Sequence, residues 1–161
     1  MTFKLNILIK NFIFLLVLFF SFNLKSNELC NDSLDDSELI NYASSLDQYQ
    51  NYEESIKCLK ILIERNNDYG FAGLGYYYAT GIGVKQDEKK AFNLFLKAKD
   101  RNSWAMDWLS YYYKIGRVVK RDTEKAFYYA KKASSLGNNL SKYRLAEHYL
   151  TGDGTTQNYK K

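Results

Sequence analysis

The chain has 161 residues, enough for one modest domain, and its 46% hydrophobic and 25% charged side chains exclude a polypeptide that stays disordered. It holds no proline but 15 Tyr and 10 Phe, a balance that suits helices joined by glycine-based turns. The formal charge of +5 is uneven: residues 1–26 contain Lys4, Lys10 and Lys25 and no acid, and the remainder carries 20 basic and 18 acidic groups, little support for nucleic-acid binding.

Residues 12–22, FIFLLVLFFSF, follow two lysines and are almost purely apolar. The run is short for a bilayer span and suits the h-region of a signal peptide. We read residues 1–26 as a signal peptide cleaved near Ser26, and expect an exported chain, periplasmic or secreted. The alternative is an uncleaved anchor extended back to Leu5, which would be the one link to a membrane. Cys30 and Cys58 are the two cysteines. In an exported chain an even pair suggests a disulfide, here closing a loop of about 29 residues and stabilising by about 3 kcal/mol. Two free thiols, one of them a small buried group, are the alternative.

Residues 27–69 read as a helix pair. LDDSELINYASSL carries a stripe of Leu39, Ala43 and Leu46; YEESIKCLKILIER carries Ile56, Leu59 and Ile63, with Cys58 a further candidate. The acidic pairs Asp35-Asp36 and Glu53-Glu54 fall at helix starts, where they favour the helix dipole.

Beyond residue 70 the chain repeats itself. A shift of 35 lays YATGIGVKQDEKKAFNLFLKA, residues 78–98, on YKIGRVVKRDTEKAFYYAKKA, residues 113–133. A further shift of 36 lays Leu145, Tyr149, Gly152 and Asn158 under Leu109, Tyr113, Gly116 and Asp122. Each copy predicts two helices. The first carries Gly70, Leu74 and Tyr78, then Ala105, Leu109 and Tyr113. The second carries Ala91, Phe92, Phe95 and Ala98, then Ala126, Phe127, Ala130 and Ala133, one apolar stripe in each copy. Between them Gly81 is placed to end the first helix in a left-handed conformation, Val84 to plug the turn, and Asp87 to cap the second helix. Asp122 repeats that cap, and Asn158 is placed to do so in the third copy.

These residues resemble the Sel-1-like repeat, a relative of the tetratricopeptide repeat. The first copy supplies Leu74-Gly75, Tyr78, Gly81-Ile82-Gly83-Val84, Asp87, Lys90-Ala91 and Ala98. The second supplies Ala105, Leu109, Tyr113, Gly116, Val119, Asp122, Lys125-Ala126, Ala133 and Gly137. The resemblance implies an all-α fold, a right-handed α/α superhelical solenoid of antiparallel helix pairs. Its parts would be repeat 1 over 70–102, repeat 2 over 103–138 and a partial repeat 3 over 139–161, with residues 27–69 a degenerate capping pair. Val118 and Ser110 replace glycines of the pattern, which predicts a stiffer turn and wider packing in repeat 2, and Thr155 stands where valine is expected. The sequence stops at Lys161, where the second helix of repeat 3 should begin. Either the chain is truncated, or the apolar face left there docks on a partner or a second copy.

Chemistry is sparse. His148 is the one histidine and lacks companion ligands, so neither a metal site nor a cofactor is expected. No G-x-S-x-G turn is present, and Gly81-Ile82-Gly83 follows a helix and lacks the third glycine of a dinucleotide loop. The aromatic residues offer more. In the first helix of each copy, the positions one before and three after the leucine are Gly73 and Tyr77, Trp108 and Tyr112, Arg144 and His148. In a stacked solenoid these would form a ladder across the concave face, suited to a protein or peptide partner. The alternative is that the tyrosines and tryptophan pack between repeats. The expected function is a non-catalytic interaction scaffold, as adaptors of the resembled family imply. The rivals are an enzyme, since some exported, cysteine-rich relatives are described as β-lactamases, and a structural part of the cell envelope. No S-x-x-K site with its companion motifs supports the enzyme.

Overall fold

Asp or Asn precedes every described helix, and six of the seven side chains turn back to accept a hydrogen bond from a free first-turn amide. The exception is Asn51. At Asp35 the cap is reciprocal, because Glu38 also reaches back to the Asp35 amide. The computed structural model describes residues 29–155. They form α1 (Asp36–Gln48), α2 (Tyr52–Glu64), α3 (Asp68–Thr80), α4 (Glu88–Ala98), α5 (Ser103–Ile115), α6 (Thr123–Ser135) and α7 (Asn139–Thr151), with no strand among them. No helix of the described residues is long and apolar enough to cross a membrane. The signal peptide at 1–26 and the Asn158 cap fall outside the described residues.

Helices pack chiefly on their sequence neighbours, with α3 also touching α5, which makes an all-α repeat solenoid. α3, α5 and α7 each end at a glycine in the left-handed region, Gly81 (φ 77°), Gly116 (φ 68°) and Gly152 (φ 75°). The turn that follows is rebuilt alike in both full copies. The Asp87 amide donates to the Tyr78 carbonyl at 2.8 Å, and the Asp122 amide to that of Tyr113 at 2.9 Å. Lys90 lies over the Tyr78 ring and Lys125 over the Tyr113 ring, 4.1 and 5.3 Å from the centroids. The pattern residues Tyr, Asp and Lys are therefore one latch holding the two helices of a hairpin. Val84 and Val119 pack against the core beneath their turns.

Two apolar clusters share α3. Leu74 and Tyr77 join Leu39, Ala43, Cys58, Leu59 and Leu62 on one side, while Phe71, Ala72 and Ala79 join Phe92, Phe95, Ala105 and Leu109 on the other. That two-sided burial is why α3 is apolar nearly all round. In α2 the buried residue near the C-terminal end is Leu62, and Ile63 is only half-buried, a correction to the predicted stripe. Repeat 2 adapts to its departures. Ser110 buries its hydroxyl by donating to the Ala126 carbonyl at 2.8 Å, and the residue in register with Phe95 is Ala130. In repeat 1 a Cβ at Gly75 would lie 2.8 Å from the Phe95 ring. The bulk removed at one position is thus supplied at the other. α7 leaves Leu140, Tyr143 and Leu150 exposed.

The N-terminal end is tied by several contacts. Cys30 and Cys58 are joined in a disulfide, with Cα atoms 4.9 Å apart. Arg65 donates to the carbonyls of Leu34 and Asp32, both at 2.7 Å, and to Asp36 at 3.1 Å. Asn67 donates to the other Asp36 oxygen at 2.8 Å. The Asn67 and Arg65 hydrogen bonds hold the Asp36 carboxyl below the usual aspartate range. A depressed native pKa means the carboxylate stabilises the fold above the unfolded value and loses that effect as pH falls through the native one. Asp36→Asn should therefore melt below the parent at pH 7, and the gap should close below about pH 4, as read by thermal melts across pH.

Candidate interaction site

Leu74 points into the core, so faces of α3 can be placed by angle from it at about 100° per residue. Tyr77 lies about 60° away, Gly73 about 100°, Tyr69 about 140° and Tyr76 about 160°, all turning the same way. Tyr77 therefore leans inward, and Tyr69, Gly73 and Tyr76 share the outer face. Shifted by 35, the same face of α5 carries Trp104, Trp108 and Tyr111.

Between these faces lies a cavity of about 540 Å³. Its walls are Tyr69 and Tyr76 of α3 and Trp104 and Trp108 of α5, and Gly73 also lines it, where a Cβ would lie 2.8 Å from Leu59. Asp47 at the end of α1 and Tyr52 at the start of α2 close one end. Rings continue outward as a strip: Tyr52 meets Tyr77 edge-on at 5.9 Å, Tyr76 meets Trp108 at 6.3 Å, and Trp108 meets Tyr111 at 5.8 Å. Trp108 is held from behind by Phe95, stacked at 5.5 Å with the planes 5° apart. Trp104 is 64% exposed.

The five residues placed on the ladder by sequence separate into two groups. Trp108 and Arg144 lie half-buried on the outer face. Arg144 donates to Asp107 at 3.0 Å and sits 5.4 Å over the Tyr111 ring. Tyr77, Tyr112 and His148 are each 1% exposed, so they support the face from within. The Tyr77 ring forms the cavity floor. Its hydroxyl donates to Asp47 and lies 2.9 Å from the Ser55 hydroxyl, which donates to the Ala43 carbonyl at 3.2 Å. Tyr112 packs between Phe92 and Trp108, and burial pushes its phenol up to about 12. The His148 Nδ1 lies 2.7 Å from the Asp153 carbonyl, and Phe127 covers the ring at 5.8 Å. Each of these three sits only about 60° from the leucine of its copy, on the side that turns inward.

Sequence reasoning missed Tyr69, Tyr76, Trp104 and Asp47. Advancing the register from Gly73 by minus four and plus three would have found the first three; nothing local marks Asp47, which arrives from another helix. Among the described residues, no group of three His, Cys, Asp or Glu could hold a metal ion. The glycine turn after α3 is filled by its own fold: a Cβ at Gly83 would lie 2.6 Å from Tyr52.

The family model described as the Sel1 repeat matches residues 72–103, 105–138 and 140–161, more than half of the chain. Comparison with curated proteins gave no match. Among solved structures, the chain is similar to a protective antigen present in uropathogenic Escherichia coli strains and displaying an SLR fold. The TM-score is 0.66 at 26% identity, over 78% of this chain and 28% of that one. It is also similar in fold to a Sel1 repeat protein from Oxalobacter formigenes, with a TM-score of 0.67 at 23% identity, over 74% of this chain and 49% of that one. The chain thus matches about a quarter to a half of the length of these neighbours.

Proposed function

Because the chain belongs to the Sel1 repeat family, whose members generally mediate protein–protein interaction, we propose that it is a non-catalytic scaffold that binds an extended peptide or protein segment in the groove between α3 and α5. The observation that carries this is the cavity of about 540 Å³ walled by Tyr69, Tyr76, Trp104 and Trp108. Its size lies within the range of small-ligand and side-chain pockets, and aromatic residues are common interface anchors. Trp108 and Arg144 contribute to the same face, and Tyr77, Tyr112 and His148 hold it in shape. Export is supported by the apolar run at 12–22 and by the Cys30–Cys58 bridge, since disulfides persist in oxidising compartments.

The two tryptophans of the chain both line the cavity, so intrinsic fluorescence reports on it directly. Peptides selected on the purified chain should change that fluorescence on binding. Trp104→Ala should weaken their affinity by about 2 kcal/mol, the usual loss at an aromatic hot spot, and leave the melting temperature nearly unchanged because Trp104 is exposed. Selected peptides that bind Trp104→Ala as tightly as the parent would place recognition elsewhere.

A further inference from the structure

We infer that the cavity takes a cationic side chain, an arginine or lysine of the bound peptide, with its charge against Asp47 and its stem along the aromatic wall of Tyr69, Tyr76, Trp104 and Trp108. The inference rests on the groove reading above and names the chemistry of its anchor. Asp47 is the one carboxylate on the cavity wall, and no lysine or arginine lines it. No cationic group among the described residues pairs with Asp47. Its close donors are neutral hydroxyls, those of Tyr77 and Ser55. Burial raises the Asp47 carboxyl and the Ser55 hydrogen bond opposes that shift, so a cation entering the cavity would restore the stabilisation that water no longer supplies.

The rings point to the same occupant. Tyrosine and tryptophan faces attract ammonium and guanidinium groups, most strongly where water is excluded. An anionic anchor would meet both the carboxylate and the negative ring faces. A purely apolar anchor would fit the rings but leave Asp47 desolvated and without a cation. The chain itself pairs a cation with a ring and a carboxylate elsewhere, although from different register positions. There the Arg144 guanidinium lies 5.4 Å over Tyr111 and donates to Asp107, which is 4% exposed. In the cavity, ring and carboxylate are present and the cation is left to the ligand. The volume exceeds one such side chain and leaves room for its flanking residues.

Random nonapeptides displayed on phage and selected on the purified chain test the inference, with binding of synthetic copies read by tryptophan fluorescence. The expected result is a shared Arg or Lys whose replacement by citrulline or norleucine weakens binding about tenfold or more. Asp47→Asn should weaken the cationic peptide by a similar factor and leave its neutral counterpart almost unaffected. The citrulline comparison alone decides the matter should Asp47→Asn fail to fold. Peptides that quench the tryptophans and lose affinity in Trp104→Ala, yet carry an apolar or acidic anchor, would overturn the cationic anchor and leave the groove standing. Absence of any peptide that binds at the tryptophans would overturn both.

Discussion

Phe95→Ala should lower the unfolding free energy by about 3–5 kcal/mol, the range for deleting a fully buried aromatic ring. Phe95 is 0% exposed and sits where three elements meet. One side of its ring lies against Gly75, whose missing side chain makes the space, and another stacks on Trp108, with Tyr112 6.3 Å away. Glycine has no side chain to swing into the void, so the hole should relax little and the loss should fall toward the upper part of the range. The groove should suffer too, because Trp108 loses the ring that holds it. Peptide affinity should drop although Phe95 itself does not line the cavity. Gly75→Ser, placed against an intact Phe95, should overpack the site and cost about 1–3 kcal/mol. The two changes together should cost less than their sum, since repeat 2 already packs Ser110 in register with Ala130. Urea unfolding of the four proteins measures the coupling; strict additivity would show that the two positions do not share one space.

Much of the fold was legible because the repeat writes its structure in local backbone chemistry. A glycine that ends a helix in the left-handed region and an aspartate that caps the next act within about a dozen residues, and their recurrence at 35 exposes them. The alanine stripe of α4 and α6 was legible for the same reason. What the spacing left undetermined was which way a helix face turns once three neighbours compete for it. Gly73 and Tyr77 lie four apart and share a face in isolation, and both meet the N-terminal helices: Tyr77 is buried, and a Cβ at Gly73 would lie 2.8 Å from Leu59 of α2. Ile63 and Leu62 exchange places, because α3 approaches α2 so closely that a Cβ at Gly70 would lie 2.7 Å from Leu62. Asp47 was illegible because its role is tertiary: its partner Tyr77 is 30 residues away, and only the stacking of α1 beside α3 makes them a pair.

Reduction of the Cys30–Cys58 bridge should lower stability by about 3 kcal/mol, the effect of releasing a loop of this size in the unfolded chain. The bridge spans 28 positions and joins the segment before α1 to the buried face of α2, where Cys58 is 0% exposed. It acts beside the Arg65 clasp on Leu34, Asp32 and Asp36, so the segment should loosen without α1 being lost outright. In a solenoid each unit is stabilised chiefly by its neighbours, so the loss should concentrate at α1 and α2 and fade toward α7. Those two helices supply Asp47 and Tyr52 to the cavity, and peptide affinity should therefore fall with reduction while α3 to α7 keep their helical signal. Urea midpoints with and without reductant, followed by both circular dichroism and tryptophan fluorescence, separate the global loss from the local one. A Cys30→Ala, Cys58→Ala double variant should show the reduced midpoint in both conditions. Equal midpoints for the oxidised parent and this variant would show that the hydrogen bonds of Arg65 hold the segment without the bridge.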